Sequence, residues 1–373
     1  MRVAIIGAGV VGASAAWHLA RAGAEPVLID AGLEGRATAA GAGIVAPWAG
    51  SSAPDPDWHR RGSAAGRDYP AMIASLAEDG ETDTGYARCG ALIVNENPAP
   101  LERVARDLLS RRRAAPEMGE ISVLDPTQAR AAFPPLHPAL RAVHIAGGAR
   151  VDGRRLVAAL RRAAMRHGAR EMDGTASLIR HASVVGVQVG GEKVAADAVV
   201  VAAGAWSAAL LAQVGVALPV APQRGQIVHL QADVETDAWP SILPLPVSGH
   251  YLVAFEHGRV VAGATRETGS GFDYRLTAGG QAQVLADALR VAPGLAPMGV
   301  IEWRVGFRPL AADLMPLLGK VPAAPGLFVA TGLGGTGLTL GPLTGRLLAE
   351  SILGQPLTLD LSPYEPLRKL PAL

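Results

Sequence analysis

Apolar residues recur along the chain in two rhythms. Val3-Ala4-Ile5-Ile6 and Val27-Leu28-Ile29 are short unbroken apolar runs, the pattern of strands covered on both faces. Between them, residues 10–22 have helical composition and stop at Gly23, so residues 2–30 predict a βαβ unit. Residues 198–202 and 327–330 repeat the buried-strand pattern. Helices are expected over residues 58–78, 101–112, 154–167, 277–290 and 337–353, with Pro70 kinking or dividing the first. Asp125 before Pro126, and Asp152 before residue 154, read as helix N-caps. The middle of the chain differs. Strands are expected at 86–94, 183–189, 251–255, 259–264 and 300–305, with a hairpin turning at His257-Gly258. Residues 47–57, rich in Pro, Ser and Asp, predict an exposed loop.

An α/β pattern at both ends of a β-rich middle predicts two domains whose segments alternate. A length of 373 residues accommodates them. A net charge of +1 gives no electrostatic bias towards nucleic acid. The single cysteine, Cys89, excludes a disulfide scaffold and a cysteine metal cluster, and no metal is expected. The first apolar run is broken at Gly7, Gly9 and Gly12, so it is neither a signal core nor a membrane span. The expectation is a soluble, cytoplasmic protein without a transmembrane segment.

Gly7-Ala8-Gly9-Val10-Val11-Gly12 is a G-x-G-x-x-G pattern directly after a predicted strand and at the start of a predicted helix. Gly7 permits the tight turn, Gly9 admits a pyrophosphate close to the backbone, and Gly12 packs helix on sheet. The helix N-terminus offers free N–H groups to phosphate. Asp30, 18 positions after Gly12, is placed for ribose hydroxyls. FAD and NAD share this unit. Two further strand-to-helix sites are rich in small residues: Ala202-Ala203-Gly204-Ala205-Trp206 and Thr331-Gly332-Leu333-Gly334-Gly335-Thr336-Gly337. Three such sites suit one long, extended cofactor.

With these landmarks the chain resembles the FAD-dependent glycine and D-amino acid oxidase and dehydrogenase family, which includes sarcosine oxidase. The likeness extends through residues 35–44, the 251–265 hairpin, Gly306-Phe307-Arg308-Pro309, and the turn from Gly332 to Pro342. It implies an α/β (overall α+β) fold. A Rossmann-type FAD domain would use residues 1–85, 145–218 and 304–373, and an antiparallel-sheet substrate domain residues 86–144 and 219–303. By the same resemblance Arg36, Thr38, Ala42, Gly43 and Ile44 run past the pyrophosphate to the flavin. Thr336, Gly337, Leu338 and Thr339 lie near its ring, with Gly332 and Gly335 in the preceding turn. Ser177 corresponds to a backbone contact with the adenine half. No cysteine follows Arg308, so noncovalent FAD is expected. Thr265-Arg266-Glu267 has no lysine where oxygen-reactive relatives carry one, so transfer to a quinone or dye is expected to outpace oxygen.

The chemistry implied is oxidative deamination of a D-amino acid or glycine, with hydride leaving Cα for flavin N5 and an imino acid hydrolysing to keto acid and ammonia. Arg308 can grip the substrate carboxylate with two parallel hydrogen bonds, and Tyr251 can add another. The alternative for Arg308 is a structural ion pair with Asp313. Trp48 and Arg266 are expected to line the pocket. His250, adjacent to Tyr251, is expected on the opposite strand face, in a structural role. A secondary amine such as sarcosine or a proline derivative is the nearest alternative substrate. From other classes, a tRNA-modifying flavoenzyme domain or the flavin subunit of an electron-transfer complex stay open. Homo-oligomerisation is compatible with all of these.

Overall fold

The computed structural model describes residues 1–50, 58–181, 184–245 and 250–369. Part of the expected 47–57 loop, and the first residue of the expected 183–189 strand, lie outside these. The predicted βαβ unit forms as strand Arg2–Ile6, helix Val10–Arg21 and strand Glu25–Asp30. It lies in a six-stranded sheet ordered Leu317–Lys320, Leu327–Thr331, Ala198–Val201, Arg2–Ile6, Glu25–Asp30, Arg170–Asp173. All neighbours run parallel except the antiparallel edge Leu317–Lys320. Helices cover one face, and their side chains share a core in which Val3, Ile5, Trp17, Leu19, Leu156 and Leu340 are buried. Helix Val10–Arg21 packs against helix Gly337–Ile352, and Ser14 Oγ donates to the Pro342 carbonyl at 2.7 Å.

The second sheet has nine strands, antiparallel but for the pairing of Ser241–Pro244 with Ala91–Asn95. Its spine is Val220–Gln231, paired along its full length with Gly299–Ala311 and on its other side with Arg259–Gly263 and Glu267–Thr268. The expected strand at 300–305 is therefore seven residues longer, and the expected domain boundary at 304 falls inside it. The hairpin Tyr251–Ala254 with Arg259–Gly263 turns at His257 and Gly258, both at positive φ. Helix Ala278–Val291 covers one face through Val284 and Ala288. The opposite face, with Ile227 and Val253, turns towards Ala42 and Ile44. The fold is thus mixed α/β.

Three local expectations change. Helix Trp58–Glu78 runs undivided through Pro70. Pro47, Trp48 and Ala49 are not an exposed loop but a buried 3-10 turn. The expected strand over 86–94 begins only at Ala91.

Candidate active site

A cleft of about 770 Å³ runs between the two sheets, lined at one end by Asp30 and Ala176 and at the other by Tyr251 and Arg308. That is the upper part of the range for ligand sites. Gly7 has φ +106°, and a Cβ there would sit 2.4 Å from the Ala202 carbonyl. Only glycine lets strand Arg2–Ile6 turn so tightly against the end of strand Ala198–Val201. Gly12 stands behind the wall, where a Cβ would meet the Gly7 carbonyl at 1.9 Å, so it serves helix packing. Asp30 Oδ2 accepts the Ala8 N–H at 2.7 Å, and Oδ1 accepts the Gly32 N–H at 2.8 Å with Arg36 at 3.4 Å. Thr38 Oγ1 accepts the Val10 N–H at 3.2 Å, drawing the 36–44 segment onto the fingerprint.

Two helix N-termini open on this cleft. Helix Val10–Arg21 starts after Gly9, and helix Gly337–Ile352 after Thr336; neither is capped by its own N-cap side chain or carries an acidic residue in its first turn, although the Val10 N–H is taken by Thr38 Oγ1. The remaining N–H groups of such helix ends favour anions and developing negative charge. Gly9, Val10, Val11, Ala42, Gly43 and Ile44 line the cleft. So do Ala203, Gly204, Trp206, Gly335, Thr336, Gly337, Leu338 and Thr339. Thr339 Oγ1 donates to the Ile44 carbonyl at 2.9 Å, joining the two segments expected at the flavin. The elongated shape, the glycine turn and both open helix ends fit an extended dinucleotide.

Gly12 and Gly332 keep the packing and turn positions expected of them, behind the cleft surface, while Ser177 and Trp48 sit elsewhere. Ser177 is not in the lining; Gly174, Thr175 and Ala176 are, while Ser177 Oγ turns to the Gln188 carbonyl. Trp48 is corrected from pocket to core: its Nε1 donates to Ser63 Oγ at 3.2 Å and its ring is buried against Gly66. Pro47 and Trp58 line the cleft instead.

At the far end Arg308 is half-buried on strand Gly299–Ala311, opposite Gln223. Its Nη1 donates to the Thr265 carbonyl at 3.0 Å, and Tyr251 stands beside it. The guanidinium lies across Gly225, where a Cβ would come within 2.6 Å of Nη1. Asp313 is not its partner. That carboxylate binds Arg368 at 2.7 Å, and among the described residues no carboxylate forms an ion pair with Arg308. Burial lowers the Arg308 pKa, Tyr251 opposes this, and the Arg266 charge adds to it. Burial raises the Tyr251 pKa, so its hydroxyl is neutral and able to donate. His250 touches the cleft, but its Nε2 meets Asp287 at 2.9 Å, on the helix side of the sheet.

Sequence reasoning missed the support around this end. Arg224, 7% exposed, binds Glu267 at 2.5 Å and Asp273 at 2.9 Å. This holds the 267–273 segment so that Phe272 stacks on Trp206, ring centres 4.9 Å apart. The one available signal was a glycine between Arg224 and Gln226, since glycine inside a strand marks close approach.

The model for the family "FAD dependent oxidoreductase" matches residues 2–351. Among curated proteins the chain is 44% identical to an uncharacterized oxidoreductase of Bacillus subtilis, over 97% of each. It is 32% identical to a glycine oxidase of Pseudomonas aeruginosa, over 99% of each. Among solved structures, an iminodiacetate oxidase from Chelativorans sp. BNC1 shares 47% identity with a TM-score of 0.94, covering 98% of this chain and 99% of that one.

Proposed function

Because the chain belongs to the family of FAD-dependent oxidoreductases, with FAD as cofactor and amine or amino-acid compounds as substrate type, we propose that it oxidises the C–N bond of a small amino carboxylate: glycine or an N-substituted glycine. The observation that carries this reading is Arg308, a half-buried guanidinium without a carboxylate among the described residues and with Tyr251 beside it. A substrate carboxylate supplies the missing anion through charge-assisted hydrogen bonds, oriented by the fixed guanidinium plane. Tyr251 donates a further hydrogen bond. The positive charge also disfavours a protonated amine nearby, keeping the substrate nitrogen neutral. The fingerprint turn, Asp30, Thr38 and the two open helix ends hold FAD noncovalently. When bound, it supplies a two-electron acceptor for the hydride on the carbon between nitrogen and carboxylate. The glycine oxidase and iminodiacetate oxidase relatives support glycine and a secondary nitrogen respectively. A D-amino acid is the second reading, favoured by the apolar packing of Ile44, Leu243 and Ile227 around Tyr251.

The test is anaerobic mixing of the yellow holoenzyme with glycine, N-methylglycine, D-alanine and the decarboxylated counterparts methylamine and dimethylamine. Bleaching of the flavin by an amino carboxylate, and not by its decarboxylated counterpart, is expected. Equal bleaching by methylamine and glycine overturns the carboxylate reading.

A further inference from the structure

The segment from Arg36 to Ile44 lines the cleft with one exception. Arg36, Ala37 and Thr38 belong to the wall, as do residues 40–44, but Ala39 does not. The Ala39 carbonyl is instead taken up by two guanidinium groups: Arg154 Nε donates to it at 3.1 Å and Arg304 Nη1 at 3.2 Å. Ala39 lies in the four-residue helix Ala37–Ala40, too short for its last carbonyls to find helical partners. The two arginines come from different halves of the molecule. Arg154 stands in the first turn of helix Gly153–Arg166, and Arg304 on strand Gly299–Ala311 of the nine-stranded sheet.

Each of these elements also brings a glycine against the same segment. At Gly153 a Cβ would come within 2.3 Å of the Thr38 carbonyl oxygen, and at Gly306 within 2.7 Å of the Ala40 Cβ. Gly306 is two positions from Arg304, on the same strand face. The segment is thus pressed at Thr38 and Ala40 and gripped by charge between them. Glu302 fixes the Arg304 side chain, accepting its Nε at 2.9 Å, and Asp152 fixes the Arg154 backbone, accepting its N–H at 2.9 Å. Beyond Ala39 come Gly41 and Gly43, so this stretch has little conformational preference of its own and takes its path from outside.

We infer that Arg154 and Arg304 are positioning residues for the cofactor, which together fix the Ala39 carbonyl and thereby the path of residues 40–44 along bound FAD. The inference does not depend on which amine is oxidised, so it and the substrate reading fail separately. Because one carbonyl has two donors from two elements, loss of one leaves the other in place, and only loss of both frees the segment. The signature is coupling between the two positions.

A double-mutant cycle on the holoenzyme reads this coupling. FAD release is followed by the fluorescence of free flavin after dilution, for wild type, Arg154→Met, Arg304→Met and the pair. Each single variant is expected to speed release by up to about threefold, and the pair by about thirtyfold, the scale of a hydrogen bond to a charged group. The pair should therefore exceed the product of the singles by more than about threefold. Restoring an ammonium donor, with Arg304→Lys in the Arg154→Met background, is expected to recover part of the loss. The visible circular dichroism of the bound flavin should change in the pair. Arg162→Met is the control, since it breaks an ion pair with Glu81 on the same helix as Arg154 without touching the segment. Its release rate is expected within about twofold of wild type, with an unchanged flavin spectrum. A smaller excess over the product of the singles, or acceleration in Arg162→Met equal to that of the pair, overturns the inference. If a methionine variant purifies without flavin, the same cycle with Arg154→Lys and Arg304→Lys decides by the same threefold criterion.

Discussion

Two groups of arginines in this molecule differ in who supplies their counter-ions. Around Phe255, Arg150 and Arg259 stack on the ring at 4.9 and 4.0 Å. Each meets a carboxylate of the chain, Arg150 with Glu256 at 2.9 Å and Arg259 with Asp152 at 2.7 Å. In the cleft, Arg308 has only a carbonyl and a tyrosine. The first group is complete within the fold and ties helix Gly153–Arg166 to the hairpin. The second leaves anion-binding capacity unused, and burying such a cation is unfavourable until a ligand completes it. An arginine satisfied by its own chain is structure, and one held rigidly without an anion is a receptor.

The widest gap between the groups is expected for Arg308→Ala. The variant keeps FAD and its fold, yet loses about 2–5 kcal/mol of transition-state stabilisation, the range for truncating one partner of a buried charge pair. Anaerobic flavin-reduction rates with the best substrate measure this, and reoxidation is expected to stay as in wild type. A reduction rate equal to wild type would place the clamp elsewhere. Arg150→Ala is expected to do the converse. Glu256 keeps Arg155, so the loss is about 1.5–3 kcal/mol of folding stability, read from urea unfolding, with flavin reduction within about twofold. A slowed reduction at unchanged stability would erase the distinction.

The smallest effect expected is in acid. Burial pushes the Glu256 carboxyl up, but hydrogen bonds from Arg155 and its own backbone, with the Arg150 charge, hold it down at about 2. Its folded-state value lies below the unfolded one, so its contribution is present above the ordinary carboxylate range and fades as pH falls towards 2. The Tm difference between wild type and Glu256→Gln is therefore expected to shrink from pH 6 to pH 3. A constant difference would mean that Glu256 acts through packing and not through charge.

The cofactor half of the molecule was largely legible in the sequence, because its strands are unbroken apolar runs and its turns are glycines at required spacings. The spine of the other sheet was not. Strand Val220–Gln231 carries Pro222, Arg224, Gly225 and Gln226, and its partner carries Gly306, Arg308 and Pro309, so neither shows a clean alternation. The two prolines face each other in register, Pro222 opposite Pro309, a pairing that no local pattern announces. Proximity misled as well. Asp313 lies five positions from Arg308, but its partner is Arg368, 55 positions away. Composition failed at Trp48, where Pro, Ser and Asp in the neighbourhood disguised a buried indole.

Helix Val10–Arg21 leaves the ribosome more than 300 residues before the helix it packs on, Gly337–Ile352. Val10 and Ser14 meet Gly341 and Gly345 so closely that a single added methyl would collide with them. During synthesis the first βαβ unit therefore emerges with one flank of its helix bare and has no surface of its own to cover it. Such a delay leaves apolar area available to chaperones and to neighbouring chains. The vulnerable interval in the life of this protein thus falls between translation of its nucleotide fingerprint and arrival of the helix that seals it.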